Sequence, residues 1–472
     1  MSHWTVCRGL FSLPAAFAAA LLIASPAQAE SPPAQDFKSW LDELKPAAKA
    51  AGVSEAGFDR IISGIAPNCG QTGVFCDRPA GEPPEPSEPS FTERTGLPKS
   101  CDKVSQREFL EPGAYFPEDY LRRLVSKGQT LLEDLRTNQT DAYRHVLRIE
   151  QTYGVPVPIL MGLWARETSF GDATLGHNAV VALASLAFAG QEHRRAYMRR
   201  QFIAALKMVD EGAIAFDKFR SSWAGATGLT QIMPEEYLQY AVDGDGDGVR
   251  DIWTSPPDAL ATTANVLSRR GWKPHGGWGR EVVLPETADC TLEGRANGRP
   301  LGSWAQQFGV LPVDRGEESA GPVLSGEESS YLLMPAGTLG PTFLASDNFD
   351  VLRAYNPSDL YALFIGTVGD RLGCDTQEKP CPFSRPWPET GGGAFEFSVE
   401  TICRLQLNLK DRGFLNGEAD GLFGPQTRAA IGRYQKAQGR KPTCYPSREL
   451  YEQLSGSLKA EAMHKQGMPA TP

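Results

Sequence analysis

The stretch Gly162-Leu163-Trp164-Ala165-Arg166-Glu167-Thr168-Ser169-Phe170-Gly171 sets one carboxylate at the end of a helical pattern, with an aromatic on either side. The negative end of a helix dipole disfavours a carboxylate charge, and apolar neighbours desolvate it. Both effects raise the pKa of Glu167 toward the range a general acid needs at neutral pH. A lone glutamate near a helix end is ordinarily a solvated surface group, so the motif acquires meaning only in company. Asp172 is the nearest further carboxylate along the chain, and nothing around it marks it as a partner.

Two more stretches carry chemistry. From Ser221 to Pro234 (SSWAGATGLTQIMP) small residues permit a tight backbone, and Ser222 and Gln231 offer hydrogen bonds to a polar ligand. Taken alone it is a Gly-rich turn feeding a helix. Further on, Asp243-Gly-Asp245-Gly-Asp247-Gly248 alternates carboxylates with a glycine at the sixth place, the start of an EF-hand loop. Asp243, Asp245 and Asp247 would give side-chain oxygens and Val249 its carbonyl. The twelfth position is Thr254 rather than glutamate, so Asp258 is expected to close the set. Carboxylates this close repel one another unless a cation neutralises them, which favours a structural Ca²⁺ over a bare acidic turn.

In this order and spacing the three stretches resemble the lytic murein transglycosylase B family. The likeness extends to Ala179–Phe188 (AVVALASLAF), Tyr240-Ala241-Val242, Gly271-Trp272, Arg353-Ala354-Tyr355-Asn356 and Tyr361, and covers roughly residues 105–372. A second unit, 399–455, resembles a family-one peptidoglycan-binding domain through Leu405-Gln406, Asp420-Gly421, Phe423-Gly424, Thr427 and Tyr434-Gln435. The resemblance implies a mainly α, lysozyme-like (goose-type) catalytic domain plus a small three-helix binding domain. It implies non-hydrolytic cleavage of the β-1,4 bond between N-acetylmuramic acid and N-acetylglucosamine, giving 1,6-anhydro ends. Glu167 would be the single acid and base, so the second carboxylate of an ordinary glycosidase pair is not required. Ser222, Gln231, Tyr355, Asn356 and Tyr361 would contact sugar, and the chemistry needs no cofactor. Val266 stands where family members often carry a tyrosine, which implies one stacking contact fewer. A hydrolytic muramidase on the same fold and a non-catalytic wall-binding scaffold are the rival readings.

The elements that must position these residues follow from patterning. Apolar residues recur at helical spacing over 37–65, 120–136, 141–153, 158–169 and 195–210. Strand-like runs are few, so the central block reads as mainly helical. Pro-rich 66–100 reads as an insertion within the N-terminal segment 30–104, 373–398 as an interdomain linker, and 456–472 as a tail.

Residues 1–29 carry one charge, Arg8, then an apolar run ending in Ala27-Gln28-Ala29, the form of a signal peptide cleaved before Glu30. Its apolar run is too short to span a bilayer, so the mature chain is expected to have no transmembrane segment and to act in the periplasm. Nine cysteines become eight once Cys7 is removed, an even number that suits disulfides in an exported chain. Cys403 and Cys444 flank one compact segment and are expected to pair. The 472 residues predict more than one domain. A net charge of −10 excludes the basic footprint of a duplex nucleic-acid binder. The expected partner is the peptidoglycan glycan strand, and the sequence names no protein partner.

Overall fold

The computed structural model describes residues 37–67, 91–101, 112–137, 141–190, 192–274, 276–286, 288–313, 324–374, 381–388 and 397–455. The expected leader 1–29, Cys69, Cys76, the Pro-rich run at 82–86 and the tail 456–472 lie outside them.

The central element is the helix Val157–Thr168 (VPILMGLWARET), apolar on nearly every side and buried on nearly every side. It packs most extensively against Asp359–Cys374, and at the crossing a Cβ on Gly162 would lie 2.5 Å from the Ile365 carbonyl oxygen. Only glycine permits that approach. The helices Glu118–Thr137, Asp141–Tyr153, Pro256–Arg269 and Asp347–Tyr355 join this first core, together with Tyr331, Leu333, Phe343 and Ala345.

A second core joins Phe37–Ala50, Glu55–Ile62, Ala179–Ala189, Glu192–Asp210 and Pro234–Tyr240. Phe37–Ala50 is amphipathic and buries Trp40, Leu41, Leu44 and Ala48, the positions its sequence spacing picks out. Ala179–Ala189 is capped by the Asn178 side chain, which accepts from the Val180 and Val181 N–H groups. Leu229 and Tyr355 pack against both cores and so mark the seam between them.

The helical reading of the central block misses a five-stranded antiparallel sheet. Its spatial order is Arg299–Pro300, Ser329–Leu333, Thr342–Ser346, Gly279–Val283, Leu311–Pro312. Leu332 faces Leu344 and Val282 faces Thr342 in the two central ladders. The central strand Thr342–Ser346 (TFLAS) is buried at every residue, so it shows no alternation to read. The outer strands are only two residues long.

The C-terminal module is built from Val399–Asp411, Pro425–Ala437 and a third helix beginning at residue 448. Buried Gln406 is its polar hub. Its Nε2 donates to Asp420 Oδ1, the Leu422 carbonyl and Thr427 Oγ1, and its Oε1 accepts from the Asp420 and Gly421 N–H groups. The Gln, Asp-Gly and Thr of the sequence motif therefore hold the module's turn together.

The expected Cys403–Cys444 bridge does not form. Cys403 bonds Cys101, Cys444 bonds Cys290, and Cys374 bonds Cys381. Although Cys403 and Cys444 belong to one compact module, they lie in separate apolar clusters on different sides of it, each facing another part of the chain. Sequence separations of 302 and 154 residues make both bridges staples between module and body. A buried ion pair reinforces them, with Arg428 of the module donating to both carboxylate oxygens of Glu293 at 2.6 and 2.8 Å. Segment 381–388 is also packed down, with Trp387 stacked on Phe116 at 4.9 Å between ring centroids.

Candidate active site

Glu167 lies in the last turn of Val157–Thr168, and the chain leaves that helix through a rare conformation. Ser169, Phe170 and Gly171 have φ of +50°, +60° and +88° in succession. Two non-glycine residues in the left-handed region cost energy that surrounding contacts must offset. Here Thr168 Oγ1 donates to the Leu229 carbonyl at 2.6 Å, Lys127 Nζ donates to the Ser169 carbonyl at 3.1 Å, and Phe170 meets Trp164 edge-on at 5.4 Å. The turn is thus clamped to both the helix Glu118–Thr137 and the loop carrying Leu229.

The Glu167 carboxylate accepts a hydrogen bond from the Tyr361 hydroxyl. Burial pushes its pKa up to about 7, against the opposing pull of that hydrogen bond and of the Arg166 guanidinium. Arg166 is itself turned onto the faces of Tyr115 and Phe364, at 4.6 and 5.2 Å from the ring centroids. Among the described residues no second carboxylate figures among the groups that shift Glu167. Asp172 is engaged elsewhere, paired with Lys127 at 2.5 Å and 71% exposed.

Tyr361 and Tyr355 stand with Glu167, and the carboxylate is among the causes that raise both phenol pKa values well above the usual range, burial being the largest. Tyr355 donates to the Thr230 carbonyl at 2.6 Å, while Arg270 lies over its ring at 5.3 Å and pairs with Glu236. Asn356 ends the helix Asp347–Tyr355 as its C-cap. Gln231 adopts φ +57°, with Nε2 donating to the Gly228 carbonyl at 3.0 Å. Ser222 sits in the same loop, held by its N–H to the Ala226 carbonyl at 2.9 Å. Gly225 has φ +88°, and a Cβ there would fall 2.3 Å from a Leu183 methyl, so this small-residue run packs onto the helix Ala179–Ala189.

Val266 is fully buried in the second core, so its side chain is core packing rather than a sugar-facing position. Sequence reasoning missed the threonines that orient the site. Thr168 ties the Glu167 turn to the loop at Leu229, and buried Thr263 donates to Thr230 Oγ1 at 2.8 Å beneath Tyr355. Their residue type carries no signal of its own; only their buried partners distinguish them.

The acidic loop gathers three of its expected ligands. Oxygens of Asp243, Asp245 and Asp258 lie within 4.8 Å of one another. Asp258 is fully buried and accepts from the Gly244, Asp245 and Asp251 N–H groups at 2.7, 3.3 and 2.6 Å. Asp247 and Val249 are exposed and stand outside that trio, with Asp247 Oδ1 accepting from the Val249 N–H at 2.7 Å. Among the described residues no lysine or arginine pairs with the trio. Oxygen-only, anionic and without a cation of the protein's own, this donor set fits a hard divalent cation.

Two family models match the chain. That for the transglycosylase SLT domain covers residues 36–370, and that for a putative peptidoglycan binding domain covers 398–454. SltB3 from Pseudomonas aeruginosa, solved in complex with NAG-anhNAM-pentapeptide, is 33% identical with a TM-score of 0.67, covering 89% of this chain and all (100%) of that one. Solved with NAG-NAM-pentapeptide it matches at 32% identity and the same TM-score of 0.67. The membrane-bound lytic murein transglycosylase B of Escherichia coli (strain K12) is 29% identical over 225 residues. That match takes in 48% of this chain and 59% of the E. coli protein.

Proposed function

The chain belongs to the transglycosylase SLT domain family, and from that premise we propose that it is a periplasmic lytic transglycosylase of peptidoglycan. It cleaves the β-1,4 bond between N-acetylmuramic acid and N-acetylglucosamine without water, using Glu167 as the single acid and base. The observation that carries this reading is the buried Glu167 carboxylate, hydrogen-bonded by Tyr361 and raised to a pKa of about 7, with no second carboxylate among the described residues that shift it. At neutral pH such a group is present in both protonation states.

Protonated Glu167 gives its proton to the glycosidic oxygen as the C1–O4 bond breaks. The resulting carboxylate then takes the proton of the muramic acid C6 hydroxyl as O6 closes on C1. One proton leaves Glu167 and one returns, so the sites balance without a water. Tyr361 holds the carboxylate oxygen in place between the two steps, and Tyr355, Gln231, Ser222 and Asn356 supply ring faces and polar groups for the sugars. Trp223, 46% exposed beside Ser222, adds an aromatic face to the same loop.

The test is mass spectrometry of digested sacculi. Anhydro-muropeptides, one water lighter than reducing-end products, are expected, and Glu167→Gln should release none of either. Reducing ends would establish a hydrolytic muramidase instead, and lysis by Glu167→Gln would sink the role of Glu167.

Asp243, Asp245 and Asp258, with Asp247 and the Val249 carbonyl drawn in, would hold Ca²⁺ as a structural ion. It joins the loop to the helix Pro256–Arg269 and takes no part in the chemistry. The leader 1–29 would direct export, and 399–455 would bind the wall.

A further inference from the structure

A cavity of about 520 Å³ opens between the sheet lobe and the C-terminal module. It is a product of tertiary structure alone. One wall comes from segment 291–297 together with Tyr331, Arg353 and Asp359, and the other from 415–417 and the helix Pro425–Ala437. The Cys290–Cys444 bridge and the buried Glu293–Arg428 pair fix the two walls at its edge. It lies outside the residues gathered around Glu167.

Its polar lining is unusual in an acidic chain. Three arginines line it, Arg295, Arg353 and Arg433, against two carboxylates, Asp359 and the Glu293 already paired with Arg428. Arg295 and Arg353 are balanced by Asp347, Asp350 and Asp359. Arg433 has no carboxylate partner among the described residues; its Nε and Nη2 donate to the Phe414 carbonyl at 3.2 and 2.8 Å, which leaves Nη1 open. Asn416 and Gln426 line the same wall, exposed and with no protein hydrogen bond to their side-chain amides among the described residues. The one aromatic ring, Tyr331, is buried and covered by Arg295 at 5.8 Å, so the cavity presents no open face on which a sugar would stack.

The exposed Arg433 guanidinium, anchored through Nε and Nη2 and open at Nη1, stands beside two uncommitted amides and matches a peptide that carries carboxylates. Arginine takes the carboxylate by charge-assisted hydrogen bonds, and the amides pair with peptide N–H and C=O groups. We infer that this interlobe cavity is a second binding site, for the acidic stem peptide of peptidoglycan rather than for its glycan. The substrate class rests on the function proposed above; the site itself rests on the cavity and its unpaired groups. Binding there would hold a wall peptide on the rigid junction of module and body while the glycan is handled at Glu167.

The experiment uses full-length Glu167→Gln protein and a disaccharide-pentapeptide muropeptide bearing a photoreactive group, with the peptide-free disaccharide bearing the same group as comparison. Crosslinks mapped by mass spectrometry are expected in 291–297 and 415–433 with the muropeptide only. Arg433→Gln should lower them at least about fivefold, the scale of one charge-assisted hydrogen bond. Asn416→Asp, at an exposed position, should do the same by repelling the peptide carboxylate and remains informative if Arg433→Gln misfolds. Labelling that is absent from these segments, indifferent to both variants, or equal with the peptide-free probe would overturn the inference. In that case label around Glu167 persists, whereas failure of the proposed function would abolish label at both places.

Discussion

Glu167 shows how a residue's usefulness is set by its surroundings. Burial raises its pKa from 4.5 to about 7, so its neutral form is favoured in the folded chain. Its contribution to stability is therefore fully present below about pH 4.5 and lost as pH rises through about 7. Glu167→Gln, which does not ionise, should melt like wild type at pH 4.5 and higher than wild type at pH 8. After allowance for partial exposure the gain is roughly 1–3 kcal/mol, read by calorimetry across that range; a constant difference would refute the linkage. Tyr361→Phe removes the one hydrogen bond that lowers this pKa. The alkaline limb of the pH–rate profile should move upward, with kcat reduced by on the order of tenfold. A limb that stays in place would mean that Tyr361 does not govern the proton.

At the scale of elements, the acidic loop and the helix after it act together. Asp258 belongs to Pro256–Arg269, yet its carboxylate is bonded to loop N–H groups at Gly244 and Asp245. A cation held there stabilises by mass action, about 2.7 kcal/mol at a hundredfold excess over Kd. Chelation should lower the melting temperature of the wild type and leave Asp258→Asn unaffected, while equal shifts in both would place the metal elsewhere. Elements also show where sequence patterns are readable. The amphipathic helix Phe37–Ala50 has one wet face and is legible from its spacing. The strand Thr342–Ser346 has none, and a short, wholly buried run carries no period.

The whole molecule behaves as one stapled body. Cys101–Cys403 and Cys290–Cys444 tie the module down at two places, and the buried Glu293–Arg428 pair joins module and body close to the second. Wild type should unfold in a single calorimetric transition, with the module inseparable from the body. Cys101→Ser combined with Cys290→Ser removes both bridges, each worth about 2–4 kcal/mol. The module should then melt separately, and one unchanged transition would show that noncovalent packing suffices. Residue types and spacing singled out Glu167, the small-residue loop 221–234, the acidic loop and the two-unit organisation, because these features are local and a helix or turn writes them at fixed offsets. Tertiary structure alone decided which cysteines meet, which of the acidic residues converge, that Val266 is core, and that a cavity opens between module and sheet. Those facts depend on which faces distant segments turn toward each other, and no local period encodes a contact between residues 302 positions apart.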